Sequence, residues 1–278
     1  MTNLLGSRVA FTIFGVDIYW YGIFITLGIL VAFLLAFPLC KRKGLSSNVP
    51  YEILIAILPL GIICARLFSV LFDSGLSIAD YFKFREGGMS IIGAVIGGGI
   101  GLTILCAIRK YNFFALADVL VVVLILAQAI GRWGNYFNGE LYGQEITNPS
   151  FQFFPFAVNI NGVYYEALFF YESVLNLLGF VLLISLYWKL DIKGIATGSY
   201  LVYYGTVRFF LEPRRQAEYI LKLGNIQISR LLSLVMILAG IAILIYVIVT
   251  FVKSKKLKKE KGENGKEVLH AEWSWWLC

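Results

Sequence analysis

The chain has 278 residues, 59% of them apolar and only 15% charged, with a mean hydropathy of +0.78. Soluble domains carry about 25% charged residues and fewer apolar ones. These figures exclude a soluble enzyme, a nucleic-acid binder and a disordered chain, and leave an integral membrane protein. The net charge of +7 is concentrated in the run Lys253-Ser-Lys-Lys-Leu-Lys-Lys-Glu-Lys261 behind an apolar stretch. That placement suits a cytoplasmic flank facing anionic lipid.

A bilayer core needs about 20 apolar residues per helix. Seven stretches meet this in chain order: Ile18–Cys40, Ile53–Phe72, Ile91–Ile108, Leu116–Ile130, Leu168–Trp188, Ala196–Leu211 and Leu231–Val252. The fourth and sixth are short and end near Arg132 and Arg208. Met1–Asp17 is mildly apolar and expected to lie along the interface. It shows no signal-peptide pattern, so the first apolar run is expected to be retained. The expected fold class is an all-α membrane protein of seven transmembrane helices with an outward-facing loop or head region. Residues 1–252 would form the catalytic membrane domain and residues 253–278 a polar cytoplasmic tail.

Orientation follows from the basic residues that flank the spans. Lys41-Arg-Lys43, Arg109-Lys110, Lys189, Lys193 and the Lys-rich tail fall on one side when the N-terminus is outside and the C-terminus inside. Three polar segments then face outward: 73–90, 132–167 and 212–230. Cys40, Cys64, Cys106 and Cys278 show neither metal-ligand spacing nor a disulfide framework. The single histidine, His270, is in the tail. No metal or cofactor is called for.

Two clusters could carry chemistry. In Gly131-Arg-Trp-Gly-Asn-Tyr-Phe-Asn-Gly-Glu-Leu-Tyr-Gly143, a continuing helix puts Arg132 and Asn135 on one face. A guanidinium at the end of an apolar span needs a partner, and its planar fork suits phosphate or carboxylate. The plainer alternative is an arginine snorkelling beside interfacial Trp133. In Tyr203-Tyr-Gly-Thr-Val-Arg-Phe-Phe-Leu-Glu-Pro-Arg-Arg215, Arg208, Glu212 and Arg215 share a face, and Pro213 marks an end or kink. Here the alternative is an intrahelical Arg208–Glu212 pair. Arg66, late in the second span, could bind a ligand or sit in an ion pair. Glu172, inside the fifth span, needs a function or a partner. Gly93 and Gly97-Gly-Gly-Ile-Gly101 should permit close helix packing.

The first cluster resembles the signature of the prolipoprotein diacylglyceryl transferase family. Trp20-Tyr-Gly22, Ala65-Arg66, Gly87-Gly-Met-Ser90, Tyr171-Glu172, Arg208-Phe-Phe-Leu-Glu-Pro-Arg-Arg215 and Gln227-Ile-Ser229 agree in order. The resemblance covers residues 18–250. It implies a seven-helix enzyme of the bacterial inner membrane that moves diacylglyceryl from phosphatidylglycerol to the lipobox cysteine thiol of a prolipoprotein, releasing glycerol-1-phosphate. Partners would be that lipid, the signal-peptide and lipobox segment of the substrate, and membrane lipids, with no nucleic acid.

Carried over by motif, the catalytic residues are Arg132, Glu140, Arg208 and Tyr21. Substrate binding falls to Arg132, Asn135, Asn138, Gly143, Arg66, Glu212 and Arg215. The chain departs from the family pattern at Ile92, where a histidine is frequent, and at Glu166-Ala167, which replace a His-Pro pair. Two other classes use the same arginines. One is a non-catalytic relative that binds lipid or lipoprotein precursors. The other is an anion transporter, which would call for an internal symmetry that the sequence lacks.

Overall fold

A computed structural model describes residues 8–72, 79, 81–82, 88–216, 222–223 and 226–260. Glu86 and Gly87 of the second loop, the tail from residue 261, His270 and Cys278 lie outside the described residues. Seven helices carry the fold: α1 Trp20–Arg42, α2 Val49–Phe72, α3 Ile91–Arg109, α4 Phe113–Asn138, α5 Leu168–Lys189, α6 Ile195–Leu211 and α7 Ile228–Glu260. Among the described residues six are long and apolar enough to cross a bilayer. The remaining helix, α6, has 17 residues, about 26 Å at 1.5 Å per residue. The chain is a multi-pass membrane protein.

The structure adds one element to the expected fold and corrects one limit. The N-terminal segment folds as an antiparallel hairpin, β1 Val9–Ile13 and β2 Val16–Tyr19, closed by Phe14 and Gly15 at positive φ. The fourth span also does not stop near Ile130. Helix α4 runs 26 residues to Asn138, because glycines 131 and 134 are tolerated where neighbouring helices press in. Arg132 therefore sits inside a helix and not at its end.

Two compact units divide the chain, one built from the described residues up to Leu34 and from Leu120 to Lys255, the other from Leu35 to Val119. The second unit is organised by α2 against α3. Gly93, Gly97 and Gly101 recur every fourth residue, and a Cβ at Gly93 or Gly97 would collide with the carbonyl of Cys64 or Leu60. This small-residue stripe lets two backbones meet, as expected where lipid supplies no hydrophobic drive between helices. Ser90 caps α3 through Gly93 N–H. Lys110, at φ 58, ends it, and the Asn112 side chain accepts from Ala115 N–H to start α4. At that end Lys43 pairs with fully buried Asp118, Nζ to Oδ2 3.8 Å, and Arg109 pairs with Glu52 at 2.8 Å.

The first unit pairs its helices antiparallel. Gly28 meets Ala127 and Gly134 meets Tyr21 between α1 and α4. Ser173 Oγ donates to the Ala129 carbonyl between α5 and α4, 2.9 Å, and Tyr203 Oη donates to the Leu175 carbonyl between α6 and α5, 2.7 Å. Gly205 lies against the Ser233 carbonyl of α7. The long connection between α4 and α5 is ordered by a second hairpin, β3 Ala157–Ile160 and β4 Val163–Glu166. Gly143, Gln144 and Ile146 hydrogen-bond along β4 through Gly143 N to Glu166 O, Glu166 N to Gln144 O and Ile146 N to Tyr164 O. Beneath it Val158, Ala167 and Phe169 pack with Trp133 and Tyr136 of α4. A short pair, β5 Lys222–Leu223 and β6 Ile226–Gln227, precedes α7.

Candidate active site

Glu172 is 2% exposed, one turn into α5. Three guanidinium groups converge on its carboxylate. Arg132 of α4 reaches Oε2 through Nη2 at 2.5 Å. Arg208 of α6 reaches Oε1 through Nη1 at 3.3 Å, and Arg215 reaches the same oxygen through Nη2 at 2.6 Å. A second buried acid, Glu212, closes the group, with Oε2 2.7 Å from Arg208 Nη2 and 3.6 Å from Arg215 Nε. Helix α6 ends at Leu211, and Glu212–Arg214 form a 3-10 turn. Pro213, which cannot continue an α-helix, thus swings Arg215 back toward α5.

Charges at this depth are tolerated only when paired and hydrogen-bonded. Three guanidiniums face two carboxylates at this core, and Glu140, joined to Arg132 through Asn135, brings the whole network to three of each sign. Arg132 and Arg208 keep 16% and 14% of their side chains accessible. Those accessible edges could meet an anion such as a phosphodiester. The planar forks suit its oxygens.

From Arg132 the network continues outward along α4. Arg132 Nη1 donates to Asn135 Oδ1 at 3.4 Å, and Asn135 Nδ2 donates to Glu140 Oε1 at 2.9 Å. Asn138 Nδ2 donates to the same oxygen at 3.2 Å. The two asparagines thus hold Glu140 over the end of the helix. Tyr21 of α1 packs on Gly134, where a Cβ would sit 2.8 Å from its ring, and its hydroxyl interacts electrostatically with both Glu140 and Arg132. Gly143 is needed for a different reason. A Cβ there would lie 2.6 Å from Glu166 Cβ and from Oε2, so the glycine makes room for a carboxylate held by Arg214 at 2.6 Å.

The structure therefore brings Tyr21, Arg132, Asn135, Asn138, Glu140, Arg208, Glu212 and Arg215 into one network, with Gly143 in its outer wall. Arg66 belongs to the other unit. It is fully buried, and it donates through Nε to the Tyr81 carbonyl, 3.2 Å, and through Nη1 to the Gly88 carbonyl, 2.9 Å. Sequence reasoning did not place Glu172, the hub, in the candidate site. The signal was present, since an acid within a span needs partners, but nothing local says that three arginines from two other segments supply them. Among the described residues no group of three His, Cys, Asp or Glu side chains could hold a metal ion.

The fold and the site define a multi-pass helical membrane protein with a buried network of arginines and glutamates among its helices. Its sequence takes the assignment further. A family model described as prolipoprotein diacylglyceryl transferase matches residues 8–246, and the chain belongs to that family. Phosphatidylglycerol–prolipoprotein diacylglyceryl transferases of Finegoldia magna and Clostridium novyi are 37% and 38% identical. The first match covers 84% of this chain and 93% of the relative, the second 86% and 95%. The similarly named protein of Clostridioides difficile is 35% identical over 93% of this chain and all of its own length.

Proposed function

We propose that this chain transfers the diacylglyceryl group of phosphatidylglycerol to a prolipoprotein. The observation that carries the reading is the convergence of Arg132, Arg208 and Arg215 on Glu172, buried among helices of a family member. The acceptor is the thiol of the lipobox cysteine. Sulfur attacks the glyceryl carbon that bears the phosphate ester, a C–S bond forms and that carbon's bond to the phosphate oxygen breaks. Glycerol-1-phosphate leaves with the electron pair, and the thiol proton passes to Glu140 and then to the leaving phosphate or the medium.

Each residue has a task in this scheme. Arg132 and Arg208 hold the phosphate and stabilise charge developing on the leaving oxygen. Glu172, Glu212 and Arg215 fix those two guanidiniums. Asn135 and Asn138 present Glu140, and Tyr21 lines the approach. Gly143 shapes the outer loop, and Arg66 anchors the segment before α3. The cationic field also favours the thiolate form of the incoming cysteine.

The chain would reside in a bacterial inner membrane and cross it seven times, with the N-terminus, the 139–167 segment and this network on the outer side. The Lys/Arg-rich connections at Lys41–Lys43 and Arg109–Lys110 support that orientation. Purified protein, phosphatidylglycerol vesicles and a lipobox peptide test the activity directly. Peptide gaining the mass of a diacylglyceryl group supports it. Peptide binding without transfer supports a non-catalytic relative instead.

A further inference from the structure

Asn176 lies in the middle of α5, 1% exposed. Neither its Nδ2 nor its Oδ1 has a hydrogen-bond partner among the described residues. Other polar side chains of α4, α5 and α6 find partners. Ser173 donates to Ala129 and Tyr203 to Leu175. Gln128 Nε2 donates to the Tyr200 hydroxyl at 3.0 Å, and Tyr200 stacks on Tyr204 at 5.4 Å. An unpaired buried amide costs about 1–3 kcal/mol for each group, as a generality, and a bilayer offers no water to relieve it. A leucine of the same size would avoid that cost. The carboxamide calls for a partner that the protein does not supply.

Its position indicates which partner. Asn176 is four residues beyond Glu172, on the same face and about 6 Å deeper at 1.5 Å per residue, away from the 139–167 segment. A lipid whose phosphate rests on Arg132 and Arg208 must direct its acyl chains toward the bilayer interior. The first polar groups below the phosphate are then the two acyl esters, at a distance comparable to one helical turn. The head-group glycerol lies on the other side of the phosphate, and the thiol approaches the attacked carbon opposite its bond to the phosphate oxygen. Ester carbonyls accept and do not donate, and an amide Nδ2 offers two N–H donors.

Resting on the proposed transferase reading, we propose that Asn176 is a lipid-binding residue whose amide donates to the ester carbonyls of the bound phospholipid. Binding parts the packed walls around Asn176 and gives its donor an acceptor. The contact fixes the glyceryl backbone between two anchors, phosphate above and ester below, so that the carbon under attack is held in line. It also makes the enzyme selective for diacyl over dialkyl phospholipid.

The test compares diester with diether phosphatidylglycerol, in wild type and in Asn176→Leu. Wild type should use the diether lipid about five- to tenfold less efficiently in kcat/KM, the effect of one neutral hydrogen bond. Asn176→Leu should lower transfer from the diester lipid by a similar factor and use both lipids equally well. Its thermal midpoint in detergent should be unchanged or higher, since an unpaired polar group has been removed. An ether penalty of the same size in both proteins, or none in wild type, overturns the proposal. Failure of wild type to modify the peptide with either lipid overturns the transferase reading on which it rests.

Discussion

Arg132 and Glu172 meet between α4 and α5 with Nη2 2.5 Å from Oε2, although 40 positions separate them in sequence. Glu172 is the element on which all three guanidiniums depend. Glu172→Gln keeps the shape and removes the charge, leaving three buried cations with Glu212 alone. Breaking a buried ion pair from one side costs about 3–5 kcal/mol. The expected result is a large drop in thermal midpoint in detergent together with loss of transfer. A stable, active Glu172→Gln would show that the arginines are held by other means.

Arg132→Lys tests geometry apart from charge. Lysine supplies the same positive charge without the planar fork, so it cannot bridge Glu172, Asn135 and a phosphate together. Transfer should fall about 10²–10³-fold, as when one preorganised donor is removed from an oxyanion site, while the protein still inserts. Near-normal transfer by both Arg132→Lys and Arg132→Ala would leave only a snorkelling arginine.

Topology is tested with reporter fusions. Fusions after Lys43 and after Lys256 should report cytoplasm, and one at Asn159, in β3 beside the hairpin turn, should report the exterior. A cytoplasmic signal at Asn159 would invert the orientation and place the arginine network on the inner side.

The helices were legible because an apolar run of bilayer length is a strong signal, and α2, α3 and α5 begin and end within four residues of the expected limits. The end of α4 was not, because glycines and an arginine lower local hydropathy while tertiary packing keeps the helix going. The short hairpins also escaped. Their strands of two to five residues are held by cross-strand pairing, and β3–β4 also by packing on Trp133 and Tyr136 of α4, neither of which leaves a period in the sequence. In the site, Arg132, Asn135, Glu140 and Arg208 could be picked out because polar residues crowd into two short segments. Glu172 and Glu166 depend on arginines 36 to 48 residues away, and no local pattern encodes those pairings.

The final prediction concerns the proton. Ile92 cannot accept one, and the only histidine of the chain is His270, in the tail, on the cytoplasmic side in the proposed topology. A carboxylate or the medium must then take the thiol proton, and the carboxylates differ in how they are held. Glu212 is held by Arg208 and Arg215, and Glu172 by three arginines. Among the described residues Glu140 accepts amide hydrogens from Asn135 and Asn138 on Oε1, and its loop is bracketed by Gly139 and Gly143. Glu140→Gln separates two roles, since a glutamine Oε1 can still accept from both asparagines but takes no proton from a thiol. If Glu140 is the base, Glu140→Gln should lose about 10²–10⁴-fold in kcat, the usual contribution of general base catalysis, with KM for the lipid little changed. The pH–rate profile of the wild-type enzyme should show no step at the ordinary histidine value near pH 6.5, and transfer should persist below it. A fully active Glu140→Gln would reduce Glu140 to an anchor for the two asparagines. A sharp loss of wild-type activity centred near pH 6.5 would require a titrating group that this network does not contain.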